Sequence, residues 1–123
     1  MPMSKDKTPN QSPLQSLAEK KCVPCEGNVR PYAPDEAAAM MPHLNDWMLI
    51  DDAHMLAKEF HFKNFAEVMV FVNKVAAIAE EEGHHPDMSV SYDAVGIELT
   101  THAIGGLSEN DFIVAAKIDQ IKA

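Results

Sequence analysis

The sequence predicts an α+β domain of element order αββαββα, with a four-stranded antiparallel sheet and helices packed on one face. Three observations predict it. Phe65 to Glu82 carries apolar residues at helical spacing between a cap signal and a glycine. Two pairs of short strand-like runs flank that helix, each pair joined by a brief turn, as antiparallel hairpins require. The hairpin-then-helix plan then appears twice along the chain, although no sequence repeat accompanies it.

Residues 1–30 show little periodicity, and Pro13 and Pro24 bracket the one helix-like stretch, Leu14 to Lys21. They read as a mobile N-terminal arm, with a single domain over residues 31–123. Pro34 followed by Asp35 and Glu36 starts the first helix, since proline suits the first turn and carboxylates favour its positive end. Pro42 stops it. Trp47 to Ile50 reads as a strand, Asp51-Asp52 as a turn, and Met55 to Phe62 as a second strand with Leu56, Phe60 and Phe62 on one face. Asn64 caps the long helix, with Glu67 three residues later, and Gly83 suits its left-handed C-terminal cap. The apolar stripe assigned to it is Phe65, Val68, Met69, Val72, Val75, Ala76 and Ala79. Two strands follow, Met88 to Asp93 and Ala94 to about His102, the second alternating Val95, Ile97 and Leu99 with more polar residues. Gly105-Gly106 breaks the chain, and Ser108 caps a last helix running to about Ile121.

At 123 residues the chain supports one core. A net charge of −9 disfavours direct nucleic-acid binding, which normally needs a basic face. No apolar run approaches the roughly 18 residues of a membrane span, and the N-terminus lacks the apolar core of a signal peptide, so a cytoplasmic address is expected. Small sheets have edge strands to cover, so self-association as a homodimer or homotetramer is expected as well.

The residues that suggest chemistry are histidines. His84 and His85 follow the helix-ending Gly83 and precede Pro86, which pushes His85 towards an extended conformation. His102 lies at the far end of the last strand. A hairpin between Asp93 and Ala94 would bring both loci to one end of the sheet. Imidazoles titrate near neutrality, so such a cluster suits proton transfer, with no metal and no covalent nucleophile needed.

A longer pattern joins these positions: His84-His85-Pro86-Asp87, then Thr101-His102-x-x-Gly105-Gly106-Leu107-Ser108-Glu109-x-Asp111, preceded by Phe60-His61-Phe62-Lys63-Asn64-Phe65. It resembles the pterin-4a-carbinolamine dehydratase family over about Trp47 to Ile118. The resemblance implies dehydration of 4a-hydroxytetrahydropterin to quinonoid dihydropterin, the recycling step after aromatic amino-acid hydroxylation, with no cofactor and no metal. It implies His84, His85 and His102 as the catalytic set, with His84 and His102 as the acid–base pair and His85 mainly holding the pterin. The substrate-binding residues it implies are Gly83, His85, Pro86, Thr100, Thr101 and Asp111. Animal members carry an acidic residue before the His pair and a tryptophan shortly after it. This sequence has Gly83 and Met88 there, departures that bear on substrate preference. Two rival functions remain. One keeps the fold but takes another pterin, including one linked to molybdenum cofactor. The other is a dimerisation cofactor for a transcription factor, as for some animal relatives.

Other features read more plainly. Cys22-Val-Pro-Cys25 is half of a zinc motif without a second half, and free thiols are the better reading. Asp111 sits where a capping box wants the reciprocal partner of Ser108, while the family pattern makes it an orienting group near the histidines. His43 and His54 read as incidental. His61, although at a family position, reads as solvated surface on the polar face of its strand, and most of the eight methionines as core filling.

Overall fold

The fold follows from one apolar sheet face and the helices that cover it. The computed structural model describes residues 17–23 and 30–121. Its elements are α1 (Pro34–Met40), a 3-10 turn (Met41–His43), β1 (Met48–Ile50), β2 (Met55–His61) and α2 (Phe65–Glu82). Then come β3 (Asp87–Val90), β4 (Ala94–Leu99), a 3-10 turn (His102–Ile104) and α3 (Glu109–Asp119). The order is the αββαββα expected. The sheet is antiparallel throughout, in the spatial order β1-β2-β4-β3.

Register sorts the side chains. Leu56 faces Leu99, Lys58 faces Ile97 and Phe60 faces Val95 across the central β2–β4 pair. These alternate residues share the helix-covered face, where Leu56, Val95, Ile97 and Leu99 are fully buried, each contributing about 1.5–3 kcal/mol. On the opposite face Ala57 and Glu98, and Glu59 and Gly96, are the facing pairs. Lys58 lies on the covered face yet keeps its charge matched. Its ammonium donates to Asp119 Oδ1 at 2.8 Å and Asn45 O at 2.6 Å and lies 4.5 Å from the Phe60 ring centre. Asp119 also accepts from Trp47 Nε1 at 2.9 Å, which fastens the end of α3 to the start of the first hairpin.

The long helix is capped as expected, with Asn64 Oδ1 accepting from the Glu67 amide and Gly83 left-handed at φ 65°. Its buried face keeps Val68, Val75 and Ala79 of the expected stripe, with Met69 and Val72 half-buried against the core, but takes Phe71 in place of Phe65. Val68, Phe71, Val75 and Ala79 are buried, while Phe65 is 54% exposed. The run Val68-Met-Val-Phe-Val72 is apolar all round, so spacing alone does not select the inward face.

Two strand ends differ from expectation. β3 ends at Val90, because Ser91 to Asp93 form the turn in which the Ser91 amide donates to Ala94 O. β4 ends at Leu99. Thr101 makes a single bridge to Gly106, and His102 begins a 3-10 turn that Gly105 closes at φ 72°. His102 is therefore on a turn and not on a strand.

The expected arm over residues 1–30 is described only at 17–23 and at 30. Of those residues, Leu17 and Ala18 are buried in the core and Cys22 is half-buried, while the others are exposed. No helix among the described residues is long and apolar enough to cross a membrane.

Candidate active site

The β3–β4 hairpin sets the geometry. Asp87 pairs with Glu98, so the chain entering β3 and the chain leaving β4 lie side by side. Gly83 turns the end of α2 sharply: its amide and that of His84 both donate to Ala79 O. A left-handed residue there suits glycine. The result is a cavity of about 640 Å³ at this end of the sheet, a size typical of small-molecule sites.

Gly83, His84, His85, Thr100, Thr101 and His102 line it. Pro86 and Asp111, also singled out in the sequence, are not in the lining. Asp111 stands behind His84: the His84 Nε2 donates to Asp111 Oδ1 at 2.6 Å. The other carboxylate oxygen accepts from the Ser108 amide at 2.9 Å and from the Thr101 hydroxyl at 2.7 Å. With the Thr101 proton so used, the Ser108 hydroxyl donates to Thr101 Oγ1 at 2.9 Å. Asp111 thus bonds both the start of α3 and the His84 ring. His85 donates through Nε2 to Glu80 Oε2 at 2.6 Å, on an exposed surface. In both rings the carboxylate takes the Nε2 hydrogen, which leaves Nδ1 for a ligand. The His102 ring is exposed and has no hydrogen-bond partner among the described residues. Thr100 Oγ1 donates to His54 O at 2.6 Å, tying the strand end to the first hairpin.

Cys22, Val23, Glu82, Ala103 and Asn110 complete the lining, and the sequence placed none of them in the site, although Cys22 stood out in the Cys22–Cys25 pair. Asn110 falls on the unspecified position before Asp111 in the motif, and Cys22 and Val23 fall within the arm. The Glu82 side chain is 2% exposed. Burial alone would push its carboxyl up, but the Cys22 amide and the Lys117 and Lys21 ammonium groups outweigh this and hold it below its ordinary value. Burial and then the nearby Glu82 and Asp111 carboxylates push the Cys22 thiol up to about 12, so it stays protonated near neutrality. Among the described residues no group of three His, Cys, Asp or Glu side chains is arranged to hold a metal ion.

Fold and cavity together define a small α+β protein with a ligand-sized, histidine-lined site at one end of an antiparallel sheet. The family model described as pterin 4 alpha carbinolamine dehydratase matches residues 30–121, and the chain belongs to that family. It is similar to a protein of Nitrosomonas eutropha named "Putative pterin-4-alpha-carbinolamine dehydratase". The two are 50% identical over 106 residues, 85% of this chain and 92% of that one. A protein of the same name from Halorhodospira halophila is 44% identical over 88% of this chain and 99% of its own. Among solved structures, a transcriptional coactivator/pterin dehydratase from Brucella melitensis matches with a TM-score of 0.69 at 28% identity. That match covers 72% of this chain and 95% of that one. A pterin dehydratase-like RuBisCO assembly factor of the alpha-carboxysome matches with a TM-score of 0.54 at 30% identity, over 61% and 87% of the two chains.

Proposed function

We propose that this chain dehydrates 4a-hydroxytetrahydropterin to quinonoid dihydropterin by histidine acid–base catalysis, recycling the pterin used in aromatic amino-acid hydroxylation. The carrying observation is that His84, His85 and His102 line one cavity, with a buried carboxylate behind His84. Hydroxide leaves poorly, so the 4a-oxygen takes a proton as its bond to carbon breaks and departs as water. A ring nitrogen of the pterin gives up a proton in return. His84 suits the base: its Nε2 hydrogen is committed to Asp111, its Nδ1 lone pair is available, and the carboxylate faces the charge that develops. His102, unpartnered among the described residues, suits the acid. His85 holds the pterin, with Thr100 and Thr101 beside it. Positioned acid–base groups typically contribute about 10²–10⁴-fold in rate.

Stopped-flow absorbance of 4a-hydroxytetrahydropterin decay tests this. Acceleration by the wild type that His84→Ala and His102→Ala abolish is the expected result. No acceleration by folded wild type overturns it. A second reading, as an interaction module, draws on the coactivator and assembly-factor titles of the two structural neighbours. Partner binding that survives both histidine substitutions, in a protein without dehydratase activity, would favour it. The proposed protein is cytoplasmic and self-associates through its edge strands, β1 and β3, whose outer backbone groups have no sheet neighbour among the described residues.

A further inference from the structure

A primary carboxamide offers an acceptor and a donor side by side, much as a peptide unit does. Asn110, the second residue of α3 and 4% exposed, uses both on one residue of a distant segment. Its Oδ1 accepts from the Val23 amide at 3.0 Å, and its Nδ2 donates to Val23 O at 2.5 Å. The side chain therefore pairs with Val23 as a neighbouring strand would. One residue earlier, the Cys22 amide donates to the buried Glu82 Oε1 at 2.8 Å, and the Cys22 thiol lies 3.7 Å from Asn110 O. Farther back, Lys117 Nζ donates to Ala18 O at 2.6 Å, and Leu17 and Ala18 are in the core.

These anchors have a consequence for the cavity. Cys22 and Val23 stand in its wall with His84, Thr101 and His102. Asn110 adjoins Asp111, and Glu82 adjoins Gly83, so both anchors sit next to the residues that deliver the histidine site. Val23 is 63% exposed, so its backbone is held by these hydrogen bonds and not by burial of its side chain.

We infer that Asn110 is a positioning residue for substrate binding: its carboxamide fixes Cys22-Val23 as a wall of the cavity and thereby sets pterin affinity, without taking part in proton transfer. The pterin is taken from the dehydratase reading above, and the inference rests on that reading for its substrate.

The test uses the full chain and two variants. Asn110→Ala removes both hydrogen bonds to Val23, whereas Val23→Arg leaves the backbone pairing and puts a bulky cation at the wall. Three quantities are read for each: kcat and KM for 4a-hydroxytetrahydropterin, the Kd of 7,8-dihydropterin (which has no 4a-hydroxyl to lose), and hydrogen-exchange protection of the Val23 amide. For Asn110→Ala the Val23 protection is lost, KM and Kd rise about tenfold together, and kcat stays within about twofold, the pattern of lost uniform binding. For Val23→Arg the protection persists while KM and Kd rise. Unchanged KM and Kd in Val23→Arg overturn the inference, even where Asn110→Ala fails to fold. So does a kcat loss in folded Asn110→Ala without change in KM. Wild type that binds dihydropterin but dehydrates nothing overturns the dehydratase reading alone, and the Kd measurements then decide the inference. Wild type that does neither overturns both.

Discussion

His84 Nε2 and Asp111 Oδ1 stand 2.6 Å apart, with the imidazole 12% exposed and the carboxylate closed off from solvent. The second oxygen of Asp111 holds the Ser108 amide and the Thr101 hydroxyl, so the group that orients the histidine cannot swing away. Asp111→Asn must present an NH₂ to one of these donors and loses at least one bond. We expect kcat to fall by about tenfold or more, as when an orienting carboxylate is neutralised. Asp111→Ala leaves buried donors unpaired and costs stability by about 1–3 kcal/mol. Stopped-flow rates and urea denaturation read the two effects; wild-type kcat in the Asn variant would remove Asp111 from its orienting role.

The His85–Glu80 pair has the same 2.6 Å length but a different setting, with the side chains 60% and 78% exposed. Exposed ion pairs contribute about 0–1 kcal/mol, so Glu80→Gln is expected to leave stability and turnover close to wild type. His85→Ala should raise KM more than it lowers kcat. A kcat loss as large as that of His84→Ala would place His85 in the proton-transfer step instead.

Two glycines at this end of the sheet are predicted to fail differently. A Cβ on Gly106 would meet Pro31 Cβ at 2.8 Å, so Gly106→Ala must displace neighbouring chain, at a cost of about 1–3 kcal/mol. Gly83 has open space around it but φ +65°, so Gly83→Ala carries only backbone strain, about 1–2 kcal/mol. Thermal unfolding of both measures the cost. Activity should separate them further, since Gly83 aims His84 directly.

Cys22 reports on the wall. In a Cys25→Ser background, where it is the only thiol, its alkylation by iodoacetamide at pH 8 should be about a hundredfold or more slower than in the urea-unfolded chain. The folded thiol keeps its proton up to about 12 against an ordinary value of 9.0. The stability this group contributes is therefore fully present below about pH 9 and is lost as pH rises from there towards 12. Alkylation as fast in the folded as in the unfolded chain would show that the wall is open.

Element order and most boundaries were legible because caps and turn residues act locally. Asn64, Gly83 and Ser108 mark helix ends through bonds to residues at most four positions away. The inward face of α2 was legible at Val68, Val75 and Ala79 but not at its aromatic position, since Phe71 is chosen over Phe65 by contact with Phe60 and Phe62, which lie outside the helix. The place of His102 on a turn depends on Thr101 bridging to Gly106, and strand alternation carries no sign of that. The histidines were singled out by their place after Gly83 and at the end of the last strand, and a motif of fixed spacing joined them to Asp111. Cys22, Val23 and Asn110 were missed because their meaning lies in a pairing between opposite ends of the chain.

That separation sets how much chain each contact has to close. His84 and Asp111 are 27 positions apart and Thr101 and Asp111 only 10, whereas Cys22 reaches Glu82 across 60 positions and Val23 reaches Asn110 across 87. Closing the longest of these loops costs about 1 kcal/mol more chain entropy than closing the His84–Asp111 loop. Cys22 is latched to Glu82 at the end of α2, whereas His84 and Val23 both find their partners, Asp111 and Asn110, on α3. The longer closure is expected to leave the Val23 amide less protected than the amides around Asp111 in native-state hydrogen exchange, and equal protection would remove that entropic difference.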